Sequence, residues 1–189
     1  MLAGGRSSRF GSDKMAAELD GEPLLHHAVR AVATVCDEVL VVGAPTGLPV
    51  ALPGDLAQTP LEILDIDVHQ GPLVALANAV TSATHDRMLL VGGDMPDLQT
   101  AILQRVLSWE VGSDGACLVI DGWAQPFPMG LDRDATAREG ASLVAAGERS
   151  LRRLIEQLRV EQLPEVEWRT IDPTGASLRD IDRPEDLGR

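Results

Sequence analysis

The most informative segment lies near the amino terminus and reads LAGGRSSRFGSDK, from Leu2 to Lys14. A short apolar segment runs straight into a double glycine, and the loop that follows carries two arginines and a lysine. Glycines leave backbone N–H groups without side-chain cover, and such groups approach a base or phosphates closely when cations lie beside them. The spacing is neither that of the dinucleotide-binding GxGxxG motif nor that of the GxxxxGK phosphate loop. The stretch therefore predicts a phosphate-handling loop of another kind.

The rest of the chain is acidic and poor in aromatic residues. The 189 residues carry a formal net charge of −13, and 3% of them are aromatic. Because proteins that hold nucleic acid usually show a basic face or aromatic stacking platforms, the composition argues against a nucleic-acid partner. Residues 1–14 differ, since this segment contains three basic residues and a single acidic one, Asp13. We interpret this local reversal of the net charge as a binding site for a small phosphorylated ligand. The alternative is a glycine turn with solvated basic residues.

Length and hydropathy predict one globular domain over residues 1–189, since domains run to roughly 100–200 residues. The sequence shows neither an apolar run of about 18 residues nor a secretory signal, so we expect a cytoplasmic protein without a membrane partner. Cys36 and Cys117 lack any metal-ligand spacing and are expected to be reduced core residues.

Short aliphatic runs alternate with longer segments of helical period. This pattern predicts a three-layer α/β/α fold with a mostly parallel central sheet. The predicted strands are Glu38–Val42, Leu61–Leu64, Arg87–Val91 and Ala116–Ile120, and the predicted helices are Pro23–Val35, Pro72–Thr84, Thr100–Trp109 and Glu148–Leu158.

The apolar segment at the start of the sequence is short for a β-strand. Met1–Ala3 has the character of the end of a buried strand, because it leads directly into the double glycine, yet strands usually run to about five or six residues. We therefore expect the first strand to be truncated and the natural chain to begin several residues before Met1.

The stretch LAGGRSSRFGSDK also resembles the opening signature of the nucleotidyltransferase-like fold, and most closely that of the molybdenum cofactor guanylyltransferases. Further motifs of that family follow in order along the chain: Asp20–Leu24, Gly71–Leu73, Gly93–Pro96 and Asp180–Leu187. The resemblance implies a Rossmann-type nucleotidyltransferase fold. It also implies Mg²⁺-dependent transfer of GMP from GTP to molybdopterin, with release of pyrophosphate.

The resemblance assigns nucleotide-binding roles at the amino terminus. In the family the backbone of the Leu-Ala-Gly segment holds guanine, and the matching residues here are Leu2, Ala3 and Gly4, with Gly5 in the same loop. Lys14 matches the lysine that contacts the nucleotide. Arg9 matches the signature arginine, which we expect near the triphosphate.

Asp94 matches the family's Mg²⁺ ligand. It follows the predicted strand Arg87–Val91 at its carboxyl end, where ligands bind in open α/β sheets. A carboxylate is also the hard oxygen donor that Mg²⁺ prefers. The alternative role is that of a turn aspartate before Pro96. We expect no general base, because an acceptor phosphate is already a nucleophile near neutral pH and the main need is charge stabilisation.

A second family aspartate hydrogen-bonds the guanine edge, and it matches either Asp65 or Asp67. We prefer Asp65, because it directly follows the apolar pair Ile63-Leu64. This choice stays open at the level of the sequence.

Asp180 and Asp182 stand where the family usually has asparagines that help to bind the pterin. We expect them at the acceptor, although ionised carboxylates accept hydrogen bonds without donating them. The neighbouring Arg179 and Arg183 are expected to offset their charge near an acceptor phosphate.

Three alternative functions remain open. They are cytidylyl transfer to molybdopterin, nucleotidyl transfer to another small phosphorylated acceptor, and a catalytically silent nucleotide-binding module. The Leu-Ala-Gly-Gly opening favours GTP, because the cytidylyltransferases generally depart from it, and the presence of both Lys14 and Asp94 speaks against a silent module. A protein partner that delivers the cofactor is also open. The segment Gly122–Pro128 is interpreted as a loop and is a candidate border of the acceptor pocket.

Overall fold

A mixed β-sheet forms the middle layer of the protein, in a computed structural model that describes residues 1–4, 10, 13–43, 47–54, 61–65 and 70–188. The strands in these ranges are β1 (Glu18–Leu19), β2 (Glu22–Pro23), β3 (Val39–Gly43), β4 (Leu61–Asp65), β5 (Arg87–Leu90), β6 (Gly115–Ile120), β7 (Trp123–Asp132) and β8 (Val160–Leu163). The α-helices are α1 (Leu24–Ala33), α2 (Pro72–Ala79), α3 (Thr100–Val106), α4 (Arg133–Ala145), α5 (Leu151–Gln157) and α6 (Glu165–Trp168). The predicted strands and helices are confirmed, with their bounds shifted by a few residues.

The strands do not all run in one direction. β1 and β2 form a separate antiparallel pair, and the other strands follow the orders β5-β7-β6-β8 and β3-β4. Leu2 joins these two groups through parallel bridges to Val42 and Gly92. The pairs β3/β4 and β6/β8 are parallel, whereas β7 runs antiparallel to both β5 and β6. The expectation of a mostly parallel sheet is therefore corrected to a mixed one. The cause is the tight turn at Asp121-Gly122, where both φ angles are positive as in a two-residue hairpin, in place of a crossover helix.

The segment Gly122–Pro128, interpreted from the sequence as a loop, lies mostly within β7. Its two prolines suggested a turn. They fall where the pairing of β6 with β7 is irregular, between the pair Cys117 and Met129 and the pair Val119 and Ala124. Proline is tolerated at such an irregularity, because no ladder hydrogen bond is needed from its nitrogen.

Helices cover both faces of the sheet, which confirms the predicted three layers. α1 packs against β3 and α3 on one face, while α2, α4 and α5 pack together on the other. In α1 the buried side chains recur at helical spacing; they are Leu24, Leu25, Ala28, Val29 and Val32. Within the described ranges, no helix is both long and apolar enough to cross a membrane.

α4 was not predicted, because it has no stripe of large apolar residues. Its buried positions are Ala135, Thr136 and Gly140, and an added Cβ at Gly140 would lie 3.6 Å from Ala77 Cβ of α2. Asp132 caps the helix by accepting a hydrogen bond of 2.8 Å from the Ala135 N–H. Small residues let α2 and α4 pack closely, and such residues leave little hydrophobic pattern in a sequence.

Candidate active site

The loop after β5 carries Asp94 at the carboxyl edge of the sheet. The Gly93 N–H donates a hydrogen bond of 2.8 Å to the Leu2 carbonyl oxygen, so the loop stays paired with the first residues of the chain. An added Cβ at Gly92 would lie 2.4 Å from Asp94 Oδ1, and one at Gly93 would lie 3.1 Å from Ala3 Cβ. The two glycines therefore let Asp94 sit directly beside the amino-terminal segment.

Lys14 reaches the same loop from a short 3-10 helix, Lys14–Ala16. The Asp13 carboxylate caps this helix by accepting a hydrogen bond of 3.0 Å from the Met15 N–H, and the Met15 side chain is buried. Lys14 Nζ lies 2.6 Å from Asp94 Oδ2. Lys14 is also the single lysine in the 189-residue sequence. Two residues predicted to serve one site are thus brought into direct contact.

The closing segment of the chain joins the site through its main chain. The Ile181 N–H donates a hydrogen bond of 3.0 Å to the Asp94 carbonyl oxygen, and the Ile181 side chain is fully buried. This anchor holds Asp180 and Asp182 beside the loop, and Asp182 Oδ1 lies 3.2 Å from Lys14 Nζ. Residues as far as 168 positions apart in the sequence therefore converge on one ammonium group.

The two arginines expected to offset these carboxylates have other partners. The Arg179 guanidinium donates to Asp97 Oδ2 at 2.6 Å and to the Asp186 carbonyl oxygen at 2.5 Å. Arg183 lies 3.9 Å from Glu185. Arg179 thus ties the closing segment to the loop after β5. The sequence carried no signal for this pair, because its members lie 82 positions apart.

The charges of the cluster shift the pKa values within it. Burial, followed by the carboxylates of Asp182 and Asp94, raises the pKa of Asp180 above its ordinary value, while Lys14 opposes the rise. Burial by itself would lower the pKa of Lys14, but its hydrogen bonds and charge interactions with Asp94 and Asp182 raise that pKa. The ammonium therefore stays charged at neutral pH.

In the predicted nucleotide-binding loop, the structure describes Leu2, Ala3 and Gly4 at the start and Asp13 and Lys14 at the end. The N–H groups of Leu2 and Ala3 donate to the carbonyl oxygens of Val91 and Val42 at 2.9 and 2.8 Å. Both N–H groups, and the Leu2 carbonyl oxygen that accepts from the Gly93 N–H, are therefore engaged in the sheet, and the exposed Gly4 follows these residues. Outside the described residues lie Gly5, Arg9 and Asp67.

Asp65 is the last residue of β4, opposite Gly43 at the end of β3. β4, β3, Leu2 and β5 all run parallel. Asp65 and Asp94 therefore follow strands that end at the same edge of the sheet, which is the edge where ligands bind in open α/β folds. The choice between Asp65 and Asp67 as the base-reading residue stays a prediction.

The glycine-proline loop before α2 lies against the turn before α5. The Leu73 N–H donates a hydrogen bond of 3.2 Å to the Arg149 carbonyl oxygen. Gly71 has a φ of 104°, and an added Cβ there would lie 3.0 Å from Arg149 Cβ. The Arg149 guanidinium itself donates to the carbonyl oxygens of Glu148 and Val144. Arg149 therefore stabilises the turn that supports the loop.

The donor chemistry around Lys14 fits a hard divalent cation. Carboxylate oxygens of Asp94 and Asp182 lie 2.6 and 3.2 Å from Lys14 Nζ, so two hard oxygen donors lie near each other on either side of the ammonium. Mg²⁺ is usually held by one or two protein carboxylates together with waters and substrate phosphates. Among the described residues no group of three or more His, Cys, Asp or Glu side chains is arranged as a metal site. The arrangement suits a cation that takes further ligands from its substrate.

Comparisons with known proteins show what the chain is similar to. The model of the MobA-like NTP transferase domain matches residues 1–163. The probable molybdenum cofactor guanylyltransferase of Chloroflexus aggregans is 31% identical over 194 residues, which cover 99% of this chain and 89% of that protein. The molybdenum cofactor guanylyltransferase of Xanthomonas euvesicatoria pv. vesicatoria is 32% identical over 167 residues, 86% of this chain and 80% of that protein.

A solved structure shows the same fold. Molybdopterin-guanine dinucleotide biosynthesis protein A from Archaeoglobus fulgidus has a TM-score of 0.73 at 20% identity, covering 100% of this chain and 93% of that one. The fold and the sequence relatives together define a nucleotidyltransferase. This chain belongs to the MobA-like NTP transferase domain family.

Proposed function

We propose that this chain transfers GMP from GTP to molybdopterin in the presence of Mg²⁺, releasing pyrophosphate and forming molybdopterin guanine dinucleotide. The observation that carries the proposal is the Lys14 ammonium 2.6 Å from the Asp94 carboxylate, at the ligand-binding edge of the sheet. The names of the two relatives support a guanylyl group as the one transferred and the molybdenum cofactor as its acceptor.

The reaction exchanges one phosphorus–oxygen bond for another. An acceptor phosphate oxygen bonds to the α-phosphorus of GTP, and the bond from that phosphorus to the oxygen bridging to the β-phosphate breaks. The electron pair of the broken bond leaves with pyrophosphate. Since the nucleophile is already ionised, the protein contributes positioning and charge stabilisation instead of a base.

Lys14 provides positive charge to the phosphates. Its raised pKa keeps it protonated, so it brings a positive charge and N–H donors to the edge where the phosphates bind. Asp94 would hold Mg²⁺, which when bound neutralises negative charge on the phosphates. Arg9, which lies outside the described residues, is assigned as a second cation for the triphosphate by its match to the signature arginine alone.

We assign the base to residues 2–5 and Asp65, because these positions match the base-binding residues of the family. Because the N–H groups of Leu2 and Ala3 and the Leu2 carbonyl oxygen are engaged in the sheet, the backbone group that this segment would turn to the base is the Ala3 carbonyl oxygen, which accepts hydrogen bonds. The Asp65 carboxylate is also an acceptor. The edge of guanine that faces such groups carries N–H donors on N1 and N2, whereas cytosine offers the single amino group on N4. An acceptor-rich pocket therefore favours guanine.

Asp180 and Asp182 lie on the acceptor side. Their carboxylates accept hydrogen bonds from the N–H groups of a pterin and repel its phosphate. Lys14, 3.2 Å from Asp182, reduces that repulsion.

Incubation of the purified chain with Mg²⁺, molybdopterin and each of the four nucleoside triphosphates in turn tests the proposal. We expect pyrophosphate and molybdopterin guanine dinucleotide, identified by mass spectrometry, with GTP, and neither after chelation of the metal. A product with CTP would assign cytidylyl transfer. Pyrophosphate that appears only with another phosphorylated acceptor would change the acceptor, and its absence with every nucleotide and acceptor would leave a nucleotide-binding module.

A further inference from the structure

The closing segment runs along the loop that follows β5 and is fastened to it at every second residue. The three contacts are those of Ser177 with Gln99, Arg179 with Asp97, and Ile181 with Asp94. Successive side chains of an extended segment point in opposite directions. The intervening Asp180 and Asp182 therefore stay exposed, and Asp182 contacts Lys14.

Asp186 connects Arg179 to Asp182. Its carbonyl oxygen accepts a hydrogen bond of 2.5 Å from the Arg179 guanidinium. Its carboxylate accepts one of 3.3 Å from the Asp182 N–H and one of 3.0 Å from the Arg183 N–H. A displacement of Asp186 would therefore move the main chain from which the Asp182 side chain extends. Through Asp186, Arg179 acts on Asp182.

These contacts form a closed ring at the site. In order, its members are Asp97, Arg179, Asp186, Asp182, Lys14 and Asp94. The first and the last belong to the same loop after β5. Members of such a network support one another, since no single contact breaks without displacing its neighbours. If the ring opened at Arg179, the Asp182 carboxylate would depend on its exposed ion pair with Lys14, and such pairs hold a geometry weakly.

We propose that Arg179 is a positioning residue for the acceptor: held by Asp97, it fixes Asp186 and thereby keeps the Asp182 carboxylate on Lys14. This role rests on the proposed function, in which Asp182 lies on the acceptor side. While Asp182 is paired, Lys14 offsets the charge that repels an acceptor phosphate. Once it is released, the unpaired carboxylate weakens binding of the acceptor, whereas the residues assigned to GTP keep their places.

Arg105→Ala is a matched control for Arg179→Ala. Arg105 also donates to two carboxylates, and its side chain is 25% exposed against 27% for Arg179. Its helix, α3, ends beside the start of β5, where Arg87 donates to the Leu107 carbonyl oxygen. Arg105 therefore lies toward the edge of the sheet opposite Asp94. Both variants should lose comparable stability, and only Arg179→Ala should disturb the site.

Steady-state kinetics separates positioning from stability. We expect Arg179→Ala to raise the KM for molybdopterin at least about fivefold, with kcat and the KM for GTP within about twofold of the unmodified chain. Asp97→Asn, a milder change, should raise the same KM, and Arg105→Ala should leave all three constants within about twofold. An equal KM for molybdopterin in Arg179→Ala and Arg105→Ala would overturn the proposal.

A double variant tests the route through Asp182. If Arg179 acts through the Asp182 carboxylate, Arg179→Ala should have no further effect on the KM for molybdopterin once Asp182→Ala is present. Independent effects would multiply, because changes at uncoupled positions are additive in free energy. A multiplied effect would therefore show that Arg179 does not act through Asp182.

Hydrogen exchange of the Ile181 amide reports the position of the closing segment without turnover. It should be at least about tenfold faster in Arg179→Ala than in Arg105→Ala. Equal exchange in the two variants would overturn the positioning role whether or not product forms. Absence of product with GTP and molybdopterin in the unmodified chain would instead refute the proposed function.

Discussion

Lys14 Nζ lies 2.6 Å from Asp94 Oδ2, although 80 positions separate these residues in the sequence. The same ammonium lies 3.2 Å from Asp182 Oδ1. One cation therefore connects the amino-terminal loop, the loop after β5 and the closing segment. The loss of either carboxylate should be measurable both in catalysis and in the titration of Lys14, whose pKa both carboxylates raise.

Replacement of Asp94 by Asn should lower kcat by at least ~10²-fold, because the variant loses the charge that would hold the metal against the phosphates. The closing segment should keep its place, since Ile181 bonds to the backbone oxygen of residue 94 and not to its side chain. Steady-state pyrophosphate release at saturating Mg²⁺ measures the effect. The control is Asp86→Asn, an exposed position before β5 at the opposite edge of the sheet. Activity of Asp94→Asn within threefold of the unmodified chain would remove Asp94 from the metal site.

The Lys14 amine should titrate above the ordinary lysine value and move back toward it in Asp94→Asn, because the Asp94 carboxylate helps to raise its pKa. Reductive methylation with ¹³C-formaldehyde labels the single lysine, and NMR follows its signal against pH. The amino-terminal signal is separable because the pKa of that group is lowered to about 6. Identical Lys14 titrations in the two proteins would contradict the contact, and Asp86→Asn should leave the titration unchanged.

Asp180→Asn should stabilise the fold at pH 7 and have no such effect at pH 3. The folded-state pKa of Asp180 is raised, so the folded protein binds the proton more tightly than the unfolded chain. Stability therefore falls as pH rises from the ordinary carboxyl value through the folded-state pKa, and Asn removes this loss. Because Asp180 is exposed, water screens the effect to about 0.5 kcal/mol or less. Urea unfolding at both pH values measures it, and a variant that is less stable at pH 7 would reverse the assigned sign.

Arg179→Ala should reduce the free energy of unfolding by about 1–2 kcal/mol, because two charge-assisted hydrogen bonds that hold the closing segment are lost. Arg179→Lys should retain only part of this free energy of unfolding, since a single ammonium does not reproduce the two-pronged donor geometry of a guanidinium. Arg183→Ala, at an exposed side chain 3.9 Å from Glu185, is the matched control and should stay within about 0.5 kcal/mol. Equal effects of the two alanine variants in urea unfolding would argue against a specific role for Arg179.

The elements around the site were predictable because each leaves a local signal. β3 and β5 are short aliphatic runs, and the motif ending in Lys14 and the loop of Asp94 are recognisable by their residues. β7 and α4 were missed for physical reasons, since prolines at an irregular pairing imitate a loop and small residues leave no apolar stripe. The contact of Lys14 with Asp182 joins segments 168 positions apart, and only tertiary packing brings them together.

The hydrogen bond from Ile181 N–H to the Asp94 carbonyl oxygen has an evolutionary consequence. It holds the frame of the site by main-chain atoms, which every amino acid except proline at 181 preserves. The charges at positions 180 and 182 lie in side chains that take no part in this bond. A lineage can therefore exchange aspartate and asparagine there by single substitutions, and so change the charge beside Lys14, without having to rebuild the fold.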